Sequence, residues 1–249
     1  MRLDAVRRTL DAELTAVRQR RAGEPPRVLD VGGGSGTLAV PLAAAGCLVT
    51  VVEPNPNALA TLHRRAEEVG VSGRIAAVQG DSDVLGDLVP EAGADVVLAH
   101  GVLEVVDDPK TTVGAMVEAL APGGAMSVVV ANRYAAVLHR VIHGRLTDAR
   151  DLLADPAGQL SGESILRRFD TDGLRRLLVD AGLVVELIQG SGVFEDLAPV
   201  DLNPGAAGLL ADLELKVATV PALRDVASRV HALARRHGTR GHGGGTAGG

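Results

Sequence analysis

Three acidic residues in the first third of the chain each follow an apolar run of sequence. Asp30 ends "VLD", Glu53 ends "LVTVVE", and Asp81 follows "AAVQG". If the three runs are parallel strands, their carboxyl ends meet at one edge of a sheet, where open α/β sheets bind ligands. A row of carboxylates at that edge suits a ligand that carries a positive charge and several hydrogen-bond donors.

A glycine-rich turn follows Asp30 directly, in the sequence "DVGGGSG". Gly32, Gly34 and Gly36, with Ser35 between them, permit a sharp backbone turn and a close approach of a ligand to the backbone. The amide groups at the start of the next helix then face that ligand. The last two glycines are one residue closer than a dinucleotide fingerprint requires. Any tight strand–helix turn also uses glycine, so the loop alone is weak evidence.

Two further motifs fit a nucleoside. Glu53 stands seventeen residues past the last glycine of the turn, and an acid at this strand end accepts hydrogen bonds from both ribose hydroxyls. Pro54 and Asn55 complete this motif. Asp81, with Ser82, ends the third strand, where an acid bonds an adenine amino group. The structural alternatives are a capping acid at the first position and a loop acid at the second.

The elements that hold these motifs alternate between strand and helix. Strands are predicted over residues 28–31, 48–52, 74–79, 95–99 and 126–131. Helices are predicted over residues 1–22, 37–45, 57–69 and 110–120. This alternation is typical of a doubly wound α/β sheet with helices on both faces. The first helix has an arginine-rich face, which predicts either a solvated face on a helix that covers the core or a lid over an anionic substrate.

The alternation breaks after residue 131. Residues 132–170 begin with a predicted helix and continue through an Asp-, Gly- and Ser-rich stretch, so we expect an insertion over the sheet edge. A helix capped at Asp170 or Thr171 follows, then a strand in "LVVELIQGSGVF" and a helix over 205–219. Periodicity leaves 223–236 open between strand and helix. The glycine-rich residues 237–249 are predicted to be disordered.

The composition excludes several classes of protein. The chain has 249 residues and a net charge of −6, which fits one domain and argues against general binding of nucleic acid. Its single cysteine, Cys47, builds neither a disulfide framework nor a cysteine zinc site, and we expect no metal. No apolar run approaches about 18 residues, so we expect no membrane contact and a cytoplasmic protein.

In this order and spacing, the motifs resemble the class I S-adenosylmethionine-dependent methyltransferases over residues 27–132. "VLDVGGGSG", "VVEPN", "GD" and "APGG" are similar to four successive motifs of that family. The resemblance implies S-adenosyl-L-methionine as cofactor, with Asp30 at its methionine amino group. His100 and Leu103, at the end of the fourth strand, join the cofactor-binding candidates. It also implies a Rossmann-like, seven-stranded, mostly parallel sheet with an antiparallel last strand, which favours a strand within 223–236.

The same resemblance organises residues 1–236 as a single methyltransferase domain. Its parts are an N-terminal helix (1–24), a cofactor-binding half (27–132), a substrate-side insertion (132–170) and a C-terminal half (171–236).

From residue 100 onward the chain also resembles the bacterial family that methylates the carboxyl group of 5-carboxymethoxyuridine at the tRNA wobble position. The matching stretches are "AHGVLEVVDDP", "NRYAAVLHRVIHGRL" and "GVFEDL". The matching single residues are Asn132, His139, Gly144, Phe194, Asp196, His231 and Arg235. Ser228 stands where that family has an arginine, and Arg229 follows it.

Residues just past the fifth strand are the candidates for substrate positioning and catalysis: Asn132, Tyr134 and His139. A carboxylate acceptor is already anionic and needs no general base, whereas a hydroxyl would be helped by a histidine such as His139 or His143. The acceptor is predicted to be tRNA or a small molecule. The alternatives are a small-molecule carboxyl or hydroxyl methyltransferase, a cofactor-binding protein without turnover, and an NAD-dependent oxidoreductase. The sequence predicts no particular oligomeric state.

Overall fold

A computed structural model describes residues 5–195, 197–198 and 202–238. The first four residues of the predicted N-terminal helix, Asp196, and residues 239–249 of the predicted disordered tail lie outside the described residues. Within the described ranges the α-helices are α1 (Ala5–Arg20), α2 (Ala39–Ala44), α3 (Pro56–Val69), α4 (Leu85–Leu88), α5 (Pro109–Ala119), α6 (Arg133–Ile142), α7 (Leu146–Ala154), α8 (Thr171–Asp180), α9 (Pro204–Val217) and α10 (Pro221–Arg224).

The strands are β1 (Arg27–Val31), β2 (Leu48–Glu53), β3 (Ile75–Gln79), β4 (Ala94–His100), β5 (Leu120–Ala131), β6 (Leu183–Ser191) and β7 (Arg229–Arg236). They form a seven-stranded sheet in the order β3-β2-β1-β4-β5-β7-β6. The strands from β1 to β5 pair in parallel, and β7 runs antiparallel to both β5 and β6. The predicted fold class is therefore confirmed. The strand order reverses between β1 and β4, so their carboxyl ends flank the crevice where such sheets bind ligands.

Helices cover both faces of the sheet, which explains why the central strands are continuous apolar runs. On one face, Val97 of β4 and Val128 of β5 belong to a core that includes Met116 of α5 and Leu174 of α8. On the other face, α1, α2 and α3 supply a second core, represented by Leu10, Leu42, Leu62, Val51 and Leu98.

Helix α1 packs against the sheet along its described length. Its buried side chains Val6, Leu10, Leu14 and Val17 recur at three- and four-residue steps, as an amphipathic helix requires. Two arginines of its polar face bind the protein itself: Arg18 donates to the Ala45 carbonyl (2.8 Å) and Arg20 pairs with Glu13 (2.8 Å). Arg21, just past the helix, pairs with Asp95 (3.4 Å). The described part of α1 is therefore a cover of the core.

Several element boundaries differ from the prediction. α2 begins at Ala39, not at residue 37, because the glycine loop continues as turns through residues 33–38. β5 begins at Leu120, six residues early, since the "APGG" stretch is extended. β6 ends at Ser191, where Gly192 turns the chain at φ +72°. Periodicity left residues 223–236 open between strand and helix. Of these, residues 229–236 form strand β7, and residues 223–228 precede it.

Helix α7 was not predicted. It lies in the Asp- and Gly-rich part of the insertion, and only Ala149 and Leu152 of its residues are buried. Two apolar contacts give too weak a periodicity to stand out from a charged stretch.

Candidate active site

The carboxyl ends of β1 and β2 place two acids side by side. Asp30 is only 2% exposed, and its Oδ2 has no hydrogen-bond partner among the described residues. Burial raises the pKa of Asp30 to about 7, and the neighbouring charge of Glu53 adds to the rise. A buried carboxylate that lacks a partner and faces a second acid is suited to a cation, which would lower that pKa again.

Glu53 is held by two backbone amides. Its Oε2 accepts from the Gly34 amide (3.0 Å) and its Oε1 from the Asn55 amide (2.9 Å). These bonds fix the plane of the carboxylate, and each oxygen keeps a lone pair for a further donor. The first bond also joins the glycine loop to the end of β2.

The glycine loop is shaped by contacts that exclude a side chain. Gly32 has φ +64°, and a Cβ there would lie 2.6 Å from Cγ2 of Val102. A Cβ on Gly33 would lie 2.6 Å from Oδ2 of Asp30. Gly33 was not among the predicted site residues because it falls outside the alternate-glycine spacing. Its role is visible only once the chain folds back over Asp30.

A cavity of about 300 Å³ opens at this edge of the sheet. Of the predicted residues, it is lined by Gly32, Glu53, Pro54, Asp81 and Ser82. The loop after β4 supplies the lining that the prediction missed: Gly101, Val102, Val105, Val106 and Asp107. The only sequence signal for this wall was the position of "GVLEVVDDP" immediately after a buried strand.

Three other predicted cofactor residues make contacts within the protein. Ser35 accepts from the Arg65 guanidinium with its hydroxyl (2.8 Å) and its carbonyl (3.1 Å). The Asn55 side chain caps α3 by accepting from the Asn57 amide (2.9 Å). The Leu103 side chain is fully buried in the core, so its neighbour Val102 meets the cavity instead.

A second cavity, of about 340 Å³, lies at the opposite edge of the sheet, where β1, β2 and β3 begin. Although it is slightly larger, its lining is mostly apolar, and Arg27 there is bound to Asp95 (3.0 Å). Ligands of doubly wound sheets bind at the carboxyl ends of the strands. We therefore place the site at the smaller cavity, which Gly32, Glu53 and Asp81 line. Asp30 is not part of this lining and lies buried against the glycine loop at Gly33.

His100 ends β4 next to that cavity. Its Nε2 lies 2.8 Å from the Ser127 hydroxyl of β5. Burial, together with the smaller effect of the Arg229 charge, lowers the pKa of His100 to about 4. The ring is therefore neutral at physiological pH.

The side chain of Asn132 joins the start of α6 to the loop before β7 through hydrogen bonds. Its Oδ1 accepts from the Tyr134 amide (3.0 Å) as the N-cap of α6, and its Nδ2 donates to the carbonyls of Asp225 (3.0 Å) and Ala227 (2.7 Å). The side chain is 2% exposed, and both amide protons are engaged. Asn132 thus fixes the start of the insertion against the loop before β7.

Tyr134 and His139 lie on α6 and are accessible. The Arg133 guanidinium lies 5.1 Å from the centre of the Tyr134 ring. His139 is exposed, with its ring centre 4.1 Å from that of His143, one turn later. The structure therefore groups these two residues on the insertion, whereas Asn132 lies buried beneath it.

Glu104 and Arg229 lie where β4, β5 and β7 meet the insertion. Glu104 Oε1 accepts from the Ala131 amide (2.7 Å), and its backbone carbonyl accepts from the amides of Leu166 and Arg167. Burial raises the pKa of Glu104, and the charge of Arg229 partly opposes the rise. Arg229 is exposed and pairs with Ala131 at the carboxyl end of β5, and its charge acts on both His100 and Glu104. Sequence reasoning noted it only as the neighbour of Ser228.

The arginines of the insertion are paired within the protein. Arg140 and Arg168 both form ion pairs with Glu163, and Arg145 pairs with Asp148. Arg167 donates to the carbonyls of the loop after β4, including Leu103 (3.1 Å). The ion pairs therefore stabilise the insertion internally, and Arg167 holds it to the loop after β4.

Within the described ranges, no helix is long and apolar enough to cross a membrane. The same residues contain no cluster of histidine, cysteine and acidic side chains that could hold a metal ion.

Residues 5–188 match a family model described as a methyltransferase domain. Among curated proteins, the chain is 32% identical over 119 residues to the tRNA 5-carboxymethoxyuridine methyltransferase of Escherichia coli K12, covering 47% of this chain and 45% of that protein. It is 33% identical over 168 residues to the ubiquinone biosynthesis O-methyltransferase of Xylella fastidiosa strain 9a5c, covering 66% of this chain and 63% of that protein. The chain thus spans between about half and two thirds of these relatives.

Among solved structures, an S-adenosylmethionine-dependent methyltransferase from Methanosarcina mazei superposes with a TM-score of 0.59 at 16% identity. The superposition covers 89% of this chain and 97% of that one. At this identity the likeness speaks for the fold alone.

Proposed function

Since the chain belongs to the family of class I S-adenosylmethionine-dependent methyltransferases, we propose that it transfers the methyl group to a carboxylate oxygen. The proposed acceptor is the carboxymethoxy group of 5-carboxymethoxyuridine at the wobble position of tRNA. The observation that carries this proposal is Arg229, an exposed cation that pairs with Ala131 at the carboxyl end of β5 and whose charge reaches His100 at the end of β4.

The residues of the cavity fit the cofactor. We propose that Asp30 binds the methionine ammonium group, Glu53 the ribose hydroxyls, and Asp81 with Ser82 the adenine edge. The unpartnered Oδ2 of Asp30 and the free lone pairs of Glu53 support this assignment, as does the glycine loop that a Cβ would fill. When bound, S-adenosylmethionine supplies an electrophilic methyl group.

The task of the protein is then to orient the acceptor and exclude water. Proximity and alignment alone can lower the barrier by about 7–11 kcal/mol. A carboxylate is anionic at pH 7, so the site needs a cation and a hydrogen-bond donor to hold it and needs no base. Arg229 supplies the cation, and Tyr134 and His139 on α6 supply further polar groups on the insertion.

The experiment uses the purified protein, S-adenosylmethionine with a labelled methyl group, and bulk bacterial tRNA. Half of the tRNA is first treated with mild base, which saponifies methyl esters and regenerates carboxylate acceptors. We expect more label in the treated tRNA, and we expect a second mild base treatment to release that label as methanol. Label that resists base, or an absence of label in both samples, would contradict a carboxylate acceptor in tRNA.

A second candidate is a small, partly apolar acceptor that carries a hydroxyl or carboxyl group. The favouring observation is the surface of α6, where Leu138, Val141 and Ile142 are 44%, 48% and 62% exposed. Since the insertion arginines are already paired, this surface is more apolar than an RNA-binding surface usually is. Label that enters an organic-solvent extract of cells, and not tRNA, would favour this candidate. Cofactor binding without transfer to either fraction would favour a protein without turnover.

A further inference from the structure

A row of buried polar side chains crosses the sheet from His100 to helix α1. His100 of β4 meets Ser127 of β5 (2.8 Å), and Ser127 meets His231 of β7 (2.9 Å). His231 meets Gln189 of β6 (2.8 Å), which in turn meets Thr9 of α1 (3.1 Å). Ser127 and His231 are fully buried and Gln189 is 4% exposed. Burial of such a row in the interior of a domain costs free energy unless every polar group has a hydrogen-bond partner.

The direction of each hydrogen bond follows from the ends of the row. The Thr9 hydroxyl donates to the Ala5 carbonyl (3.0 Å), so its single proton is used. The Gln189 atom that faces Thr9 must therefore be the amide nitrogen, which donates. The same nitrogen faces Nδ1 of His231, which must accept. A neutral His231 then carries its proton on Nε2 and donates it to Ser127.

Ser127 links the two histidine rings. Its hydroxyl lies between the Nε2 atoms of His231 and His100 and has one proton to give. Because it accepts from His231, it donates to His100, and His100 carries its proton on Nδ1. Burial lowers the pKa of His231 to about 3 and that of His100 to about 4, so both rings are neutral at pH 7.

We infer that Gln189, His231 and Ser127 are positioning residues that hold His100 as the tautomer protonated on Nδ1, and that this N–H donates to the acceptor's carboxylate oxygen. The inference rests on the proposed function. His100 ends β4 directly before Gly101, which lines the cavity, and no described residue accepts a hydrogen bond from its Nδ1. With Nε2 taken by Ser127 and Nδ1 already protonated, the ring serves as a donor and not as a general base.

The first arm of the test measures tautomers by long-range proton–nitrogen NMR on the full chain labelled at histidine with ¹⁵N. We expect two histidines with opposite tautomers: His100 protonated on Nδ1 and His231 on Nε2, identified by their loss in single histidine-to-asparagine variants. In Ser127→Ala, His100 loses its donor, and we expect it to move to the Nε2-protonated form that free imidazole prefers. Thr112→Val removes an equally buried hydroxyl on α5 and should leave both tautomers unchanged.

Thr9→Val provides a milder variant at the far end of the row. Without the acceptor on Thr9, Gln189 can adopt both amide orientations, so we expect a second set of histidine signals with reversed tautomers. This variant keeps the inference testable if Ser127→Ala does not fold.

The second arm measures methyl transfer to base-treated tRNA and calorimetric binding of S-adenosylhomocysteine. For Ser127→Ala we expect kcat to fall about three- to tenfold, while affinity for S-adenosylhomocysteine changes less than about twofold. Wild-type His100 protonated on Nε2 would overturn the tautomer assignment, whatever the acceptor is. Weakened binding of S-adenosylhomocysteine with unchanged kcat would overturn the acceptor role. If tRNA is not methylated at all, the proposed function fails while the NMR arm still decides the tautomer.

Discussion

The cofactor-binding half and the acceptor side of this domain satisfy their polar groups in different ways. At the ends of β1 and β2, Asp30 keeps an oxygen without a partner, and Glu53 keeps lone pairs free toward the cavity. On the acceptor side, the side-chain amide of Asn132 forms all of its hydrogen bonds with the protein, and the arginines of the insertion form ion pairs or hydrogen bonds within the protein. The buried atoms without a partner on the acceptor side, such as Glu104 Oε2 and the Nε atoms of Arg133 and Arg140, belong to side chains whose other polar atoms already bind the protein. Asp30 differs because its free oxygen lies beside a second acid at the crevice, where a ligand can complete it.

The largest difference in effect is expected between substitutions of two buried acids, Asp30 and Asp95. Asp30→Asn removes the partner of the cofactor's ammonium group, and we expect affinity for S-adenosylmethionine to fall by about 1–3 kcal/mol, or about 5- to 150-fold. Calorimetric titration measures this loss. A folded Asp30→Asn variant with wild-type affinity would remove Asp30 from the site.

Asp95→Asn is the matched control, and we expect it to lower stability and to leave cofactor affinity unchanged. Although burial opposes it, hydrogen bonds from Arg27 keep the pKa of Asp95 below its usual range, so this acid stabilises the fold. We expect the variant to lose about 1–3 kcal/mol of unfolding free energy in urea and to bind the cofactor normally. At pH 8, Asp30→Asn should instead gain stability without ligand, since burial of the Asp30 carboxylate is unfavourable there.

The second contrast concerns two glycines. Gly33→Ala places a methyl group against Oδ2 of Asp30 and Cγ1 of Val51, so we expect it to displace Asp30 and to weaken cofactor binding about tenfold. Gly114→Ala, inside α5 with open space around it, should bind normally and gain about 0.5–1 kcal/mol of stability. Equal affinities in the two variants would mean that the loop does not position Asp30.

The third contrast compares two helix caps. Asn55→Ala removes the cap of α3, and we expect a loss of about 1 kcal/mol. Asn132→Ala removes the cap of α6 and two bonds to the loop before β7, so it should cost about 2–3 kcal/mol while cofactor affinity stays unchanged. Urea unfolding and calorimetry measure both. If Asn132→Ala lost activity without losing stability, Asn132 would act on substrate directly.

The smallest effect is expected at the exposed histidines. If His139 contacts the acceptor, His139→Gln should raise the KM for the acceptor about two- to fivefold through loss of one hydrogen bond, with cofactor affinity unchanged. His143→Gln, one turn further along α6, is the control and should have less effect. A larger effect of His143→Gln than of His139→Gln would indicate that the acceptor binds nearer the end of α6.

Local motifs explain why the cofactor half could be predicted from sequence. Asp30, Glu53 and Asp81 end consecutive parallel strands, and a parallel sheet brings such ends together whatever the loops do. The cap of α8 was predicted at Asp170 or Thr171 from a single turn of sequence, and the structure places it at Asp170. Gly33 was missed because its role depends on how the loop folds back over Asp30, and Val102 because it meets Gly32, which is distant in sequence.

The acceptor side depends on such distant contacts throughout. Asn132 binds carbonyls more than ninety residues away, and Ser127 joins histidines from β4 and β7. No periodicity or spacing encodes these pairings, because they arise only when β7 inserts between β5 and β6. The resemblance to a known family predicted a strand there, whereas periodicity alone left the segment open.

The most direct test of the account is the pH dependence of cofactor binding, because it isolates the charge on Asp30. Burial raises the pKa of Asp30 to about 7 in the unliganded protein, so the carboxyl group must lose its proton to bind a cation. Calorimetric titration with S-adenosylmethionine should therefore show affinity rising about tenfold from pH 5.5 to pH 7, with proton release. Asp30→Asn should bind weakly and equally at both values. Wild-type affinity that is independent of pH, or an Asp30→Asn variant with the wild-type slope, would contradict the central role of Asp30.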